Sequence, residues 1–101
     1  MFYGEIIVKE DRIFQINKIS EINPNSRYFL PGFVDAHFHV ESAMIVPAQF
    51  GRMAVVHGTV GSVSDPHEIA NVLGVKGLGF MFKSGKDTKL KIHLMIPSCV
   101  P

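Results

Sequence analysis

The sequence is poor in the features that would place it outside the cytosol. Cys99 is its only cysteine, so no intrachain disulfide can form, and a lone thiol suits a reducing compartment. No apolar run approaches the ~18 residues that a helix needs to cross a bilayer. Met1-Phe2-Tyr3-Gly4 has neither the basic nor the apolar region of a signal peptide, and a cytoplasmic location is the expectation. An excess of one charge is also missing. Ten Lys and Arg against nine Asp and Glu leave a formal charge of +1, which gives no electrostatic reason to expect nucleic acid or an anionic membrane as partner. Internal repeats and low-complexity segments are absent. At 101 residues, one domain at most is expected, with a modest core.

What is present is a pair of histidines in an unusual setting. His37-Phe38-His39 follows Phe33-Val34-Asp35-Ala36, a mostly apolar strand entered through Pro31-Gly32. Side chains alternate between faces along a strand, so His37 and His39 point the same way, and two imidazoles on one face can share one metal ion. The bland alternative is two ordinary histidines on a half-exposed strand. Asp35 shares their parity, and an inward carboxylate must be hydrogen-bonded. Glu41, also of that parity, lies just past the strand. It is a candidate catalytic side chain, with a solvated loop glutamate as its alternative.

Asp65-Pro66-His67-Glu68 has a structural explanation, with Asp65 as N-cap, Pro66 at the first helical position and Glu68 three residues after the cap. That explanation leaves out His67, the second candidate catalytic residue, which could serve as an extra metal ligand or a substrate contact. His57 suits the negative end of a helix, and His93 falls too early in its strand to reach the C-terminal rim. Ser98 and Cys99 follow the last strand on that rim, and Cys99 has no activating neighbour in sequence. His39-Val40-Glu41 also matches the H-x-E half of the zinc-dependent nucleobase deaminase signature, but that fold needs a second cysteine, which is lacking.

Patterning predicts two short strands over 4–9 and 12–16 with a polar turn at Glu10-Asp11, and a third extended piece over Arg27-Tyr28-Phe29-Leu30. The His37/His39 strand follows. Then comes a helix from Pro47 to about His57 stopped by Gly58, with Phe50, Met53, Ala54 and His57 along one face. A strand is predicted over 59–64. A helix from His67 follows, interrupted at Gly74 and again around Gly77 and Gly79, and then a strand over 90–96. Strand and helix in alternation imply an α/β fold with parallel pairing and right-handed crossovers.

Pro31 to His39 resembles the first barrel strand of the amidohydrolase superfamily, metal-dependent hydrolases built on a (β/α)8 barrel. Glu41-Ser42-Ala43-Met44, Asp65-Pro66-His67-Glu68-Ile69-Ala70-Asn71-Val72 and Pro97-Ser98-Cys99-Val100-Pro101 narrow the resemblance to its adenine-deaminating members. Ala43 stands where a second serine is expected, and Gly61 and Gly85 replace residues of better propensity. The resemblance implies an N-terminal fragment of a TIM-type barrel, about three strands over 31–101. A partial domain over 1–30 would precede it, a piece of a flanking β-sandwich-like domain. It also implies hydrolytic deamination of adenine to hypoxanthine and ammonia, with a divalent metal, Mn2+ foremost and Fe2+ or Zn2+ as alternatives, anchored by His37 and His39. A complete barrel takes about 250 residues, and the remaining ligands would come from later strands, so the chain is expected to be incomplete for catalysis. Three alternatives stand beside this: a truncated remnant without catalysis, a weak metal-binding or association module, and another amidohydrolase acting on a cyclic amide or purine. Unpaired sheet edges make self-association, or a complementing C-terminal fragment, the expected macromolecular partner.

Overall fold

A computed structural model describes residues 1–97 of the chain, which divide into two compact units, Met1–Leu30 and the chain from Pro31 onward. The expectations for Ser98 and Cys99 lie outside the described residues. In the first unit, β1 (Gly4–Lys9) and β2 (Arg12–Lys18) form an antiparallel hairpin with a register shift between Ile7 and Val8. The two-residue turn places Glu10 and Asp11 at φ 47° and 63°, the left-handed geometry whose twist matches that of the flanking strands. The hairpin is open on its faces, with Val8, Ile13, Phe14 and Ile16 all exposed. The extended piece expected over 27–30 is not a strand. Tyr28, Phe29 and Leu30 are exposed and join no ladder among the described residues. β-propensity without a partner for the backbone N–H and C=O groups does not make a strand.

The second unit is mixed α/β. Its elements are β3 (Phe33–Phe38), a 3-10 turn (Glu41–Ala43), α1 (Pro47–Val55), β4 (Thr59–Ser64), α2 (His67–Gly85) and β5 (Lys91–Leu94). The sheet order is β3-β4-β5, and both pairings are parallel, with Asp35 opposite Ser62, Phe38 opposite Ser64, and Ser64 opposite Leu94. The central strand carries small residues where it is most enclosed: Gly61, Ser62 and Ser64 are buried. Met95 continues the pairing one residue beyond β5 by donating to the Ser64 carbonyl at 2.8 Å.

Pro47 starts α1 as the sequence predicts, but the helix stops at Val55 rather than His57. A turn takes over, in which His57 N–H bonds the Ala54 carbonyl and Gly58, at φ 87°, redirects the chain into β4. α2 corrects a second expectation. It is kinked once, at Gly74 (φ 57°, ψ −143°), and runs through Gly77 and Gly79 without a break. Glycine costs an interior helix only about 1 kcal/mol, too little to stop one that is packed. The third strand is likewise shorter than the predicted 90–96. The core is small, with Val40, Ala70, Met81 and Leu90 buried and the Phe38 ring stacked on Phe50 at 4.3 Å between centroids. Among the described residues no helix is long and apolar enough to cross a membrane.

Gly51, buried in α1, faces the Thr88 side chain so closely that a Cβ there would collide with its Oγ1. Thr88 is β-branched and cannot easily turn aside. Gly51→Ala is therefore expected to destabilise the second unit by about 1–3 kcal/mol, the usual cost of overpacking. Urea unfolding followed by circular dichroism measures it, and an unchanged midpoint would show that the α1–Thr88 contact is loose.

Candidate metal centre

Strand alternation delivers both histidines to one place. His37 is the fifth residue of β3 and His39 the first past its end, and their rings meet edge to face with centroids 4.8 Å apart. Their Nε2 atoms stand 3.0 Å apart. His39 Nδ1 lies 3.0 Å from the main-chain carbonyl oxygen of Asp65. A carbonyl oxygen only accepts, so Nδ1 carries the hydrogen and Nε2 presents a lone pair. Two nitrogens each about 2.1 Å from one ion, at tetrahedral or octahedral angles, stand roughly 3.0–3.4 Å apart. The separation of the imidazole pair is therefore that of two donors on a single divalent cation, once His37 Nε2 gives up the hydrogen it shares with His39.

The β3 end is held from two sides. The backbone N–H of His37 donates to Asp35 Oδ1 at 3.1 Å, which supplies the hydrogen bond an inward carboxylate needs. The Asp65 N–H donates to the Phe38 carbonyl at 3.0 Å, extending the β3–β4 pairing and bringing the β4–α2 junction against His39. There the His67 ring packs edge to face on His39, centroids 4.8 Å apart, and its Nδ1 stands 3.4 Å from Asp65 Oδ2. Among the described residues, His39, Asp65 and His67 form a group whose donor atoms lie within 4.8 Å of one another. His57, in the turn after α1, and His93, in β5, are exposed and take no part in it.

The capping explanation for this block is not realised. Pro66 is the N-cap of α2, no side chain caps it, and Asp65 Oδ1 is buried with no hydrogen-bond partner. Glu68 instead accepts the Ser42 hydroxyl at 2.6 Å. Glu41 reaches the same helix end, where its Oε1 accepts from the Ile69 N–H at 3.4 Å. The 3-10 turn thus ties to the start of α2 through two neighbouring side chains. Asp65 is the site residue that sequence reasoning missed. Its signal was positional, since the residue after the second parallel strand sits beside the residue after the first. His37, Phe38, His39, Ser42 and Ala43 line an open cavity of about 380 Å³ in front of the imidazole pair.

The sequence profile of the amidohydrolase family matches residues 28–101. The chain belongs to this family. It is 51% identical to the adenine deaminase of Methanosarcina mazei over 100 residues, covering 99% of this chain and 18% of that protein. It is 51% identical to the adenine deaminase of Borreliella burgdorferi over 101 residues, covering all of this chain and 18% of that protein. With the adenine deaminase of Salinibacter ruber the identity is 60% over 75 residues, 74% of this chain and 14% of the relative. The chain therefore spans about 18% of the length of the curated relatives that it matches throughout.

Proposed function

We propose that this chain supplies the first metal-binding strand, and the rim beside it, of an amidohydrolase site that deaminates adenine hydrolytically to hypoxanthine and ammonia. The observation that carries this reading is the convergence of the His37 and His39 Nε2 atoms at 3.0 Å, with the His39 tautomer set by the Asp65 carbonyl. The identity to adenine deaminases supports the choice of substrate. In this reading β3, β4 and β5 are the first three strands of a (β/α)8 barrel, whose catalytic residues stand at the C-terminal strand ends. The hairpin unit is part of a flanking β domain, and the protein works in the cytoplasm.

His37 and His39 would hold the cation through Nε2, with Mn2+ foremost and Fe2+ or Zn2+ as alternatives. Once bound, a divalent ion supplies an acidified water as the nucleophile for the ring carbon that bears the amino group. Water adds its oxygen there, and the amino nitrogen departs as ammonia. His67, half-buried against His39, is placed to contact the substrate or the metal at that rim. Glu41 serves it by holding the first turn of α2, and hence His67, through the Ile69 N–H. Two imidazoles do not fill a catalytic coordination sphere, which takes about three protein ligands and a water, and the purine needs walls on every side.

The purified chain supplied with Mn2+, Fe2+ or Zn2+ is accordingly expected to release no ammonia from adenine. Activity that returns on adding a polypeptide carrying the remaining barrel strands would support the reading. Turnover of adenine by the chain alone would overturn its division of labour. The same assay with other purines and cyclic amides separates the adenine reading from another amidohydrolase specificity.

A further inference from the structure

We infer that Gly74 and Gly77 form an elbow in α2 that sets where His67 stands on the rim, which makes both glycines positioning residues for the proposed site. This rests on the reading of His67 as a side chain that contacts the substrate or the metal. The kink at Gly74 splits α2 into a first segment, 67–73, and a second, 75–85. The second segment is fixed to the body of the unit. Met81 is buried, Ser84 Oγ accepts from the Ala48 N–H at 3.2 Å, and Gly85 lies against the Ile92 side chain. The first segment is tied instead to the 3-10 turn, where Glu68 accepts the Ser42 hydroxyl and Glu41 Oε1 accepts from the Ile69 N–H. The angle at Gly74 is what lets one helix satisfy both sets of ties.

Gly74 makes the bend through its backbone. At φ 57° and ψ −143° it occupies a mirror-image extended conformation that only glycine adopts freely. Crowding plays no part there, since nothing lies within 4 Å of where its Cβ would be. Gly77 closes the bend by lacking a side chain. A Cβ there would stand 2.8 Å from the Ile69 carbonyl oxygen, 2.9 Å from Ile69 Cγ1 and 3.1 Å from Leu73 Cβ. These nearest atoms all belong to the first segment and none to the sheet or α1, so the close approach serves the bend and not the packing of α2 on the unit. Ile69, two residues after His67, is thereby held on both sides, by Glu41 at its N–H and by Gly77 at its carbonyl. The leverage is large. At about 1.5 Å per residue, His67 stands about 10 Å along the helix from Gly74, so a change of roughly 10° at the elbow moves it by about 2 Å. A displacement of about 1 Å is enough to cost a catalytic site roughly a hundredfold.

Crystal structures of the 101-residue chain and its variants, superposed on β3, β4 and β5, test this by position alone. Gly77→Ala must open the 2.8 Å approach to Ile69 to an ordinary contact of about 3.5 Å. It is expected to carry the His67 ring at least about 1 Å from its seat on His39 while the sheet stays in place, since the lever enlarges that opening. Gly79→Ala, in the same helix with nothing within 4 Å of its Cβ, is expected to leave His67 where it is. Should Gly77→Ala fail to fold, position 74 decides. D-alanine introduced there by peptide ligation is expected to keep both the fold and the place of His67, because φ 57° and ψ −143° mirror the polyproline II conformation that L-residues adopt readily. Gly74→Ala is expected to displace His67 or unfold the helix. A His67 ring still 4.8 Å from His39 in Gly77→Ala, or displaced by D-alanine as much as by L-alanine, would overturn the elbow. Either result would leave the deaminase reading standing, because that reading fails only in the ammonia assay.

Discussion

Replacing His37 and His39 together by alanine is expected to cut the affinity of the chain for zinc or manganese by at least about a hundredfold, roughly 2.8 kcal/mol. Each substitution removes a neutral nitrogen donor from a pair already at single-ion spacing. His39→Ala also strips the hydrogen bond to the Asp65 carbonyl that orients its neighbours. A site loses about 10–100-fold when even a supporting residue goes, and here two direct donors disappear. Because His37 is exposed and His39 only half-buried, the fold should survive the change with little loss of dichroism. Calorimetric titration of both proteins measures the difference. Equal binding would mean that metal goes somewhere other than the β3 end.

The second large effect concerns association. The chain alone is expected to run as assemblies and not as an 11.2 kDa monomer. β3 and β5 are the two edges of the parallel sheet, and an unpaired edge offers its backbone groups to another chain. Strands of parallel sheets are normally covered on both faces, yet Phe33 and Val34 are 62% and 64% exposed. On α2, Val72 and Val75 are exposed to 77% and 83%. Between the outer half of α2 and the end of β5 lies an apolar cavity of about 330 Å³, walled by Val75, Leu78, Phe82, Leu94 and Ile96 among others. Apolar surface of this extent marks an interaction site or an aggregation liability. Size-exclusion chromatography with light scattering reads the outcome. A monodisperse 11.2 kDa species with a cooperative thermal transition would show that the second unit is self-sufficient.

Much of this geometry was legible because local chemistry and long-range packing agree along most of the chain. Pro47 and Gly58 bracket α1 and its closing turn for reasons contained in those residues, a fixed φ at one end and a positive φ at the other. The His37/His39 pairing needed only strand alternation. Where reading failed, the deciding partner lay far away in sequence. Residues 27–30 have strand-forming side chains but no ladder to join, and Gly77 and Gly79 continue a helix that packing sustains. Asp65 is the most instructive failure. Its local pattern matches a helix cap closely, and only the neighbouring strand end, 26 residues back at His39, gives its carbonyl a partner that the pattern does not foresee.

The most direct measurement is zinc-edge anomalous diffraction from crystals of the chain grown with Zn2+. The expected result is one strong anomalous peak about 2.0–2.1 Å from the Nε2 atoms of His37 and His39. A strong peak at the exposed His57 or His93, with His37 Nε2 simply donating its hydrogen to His39, would contradict a metal centre at the end of β3.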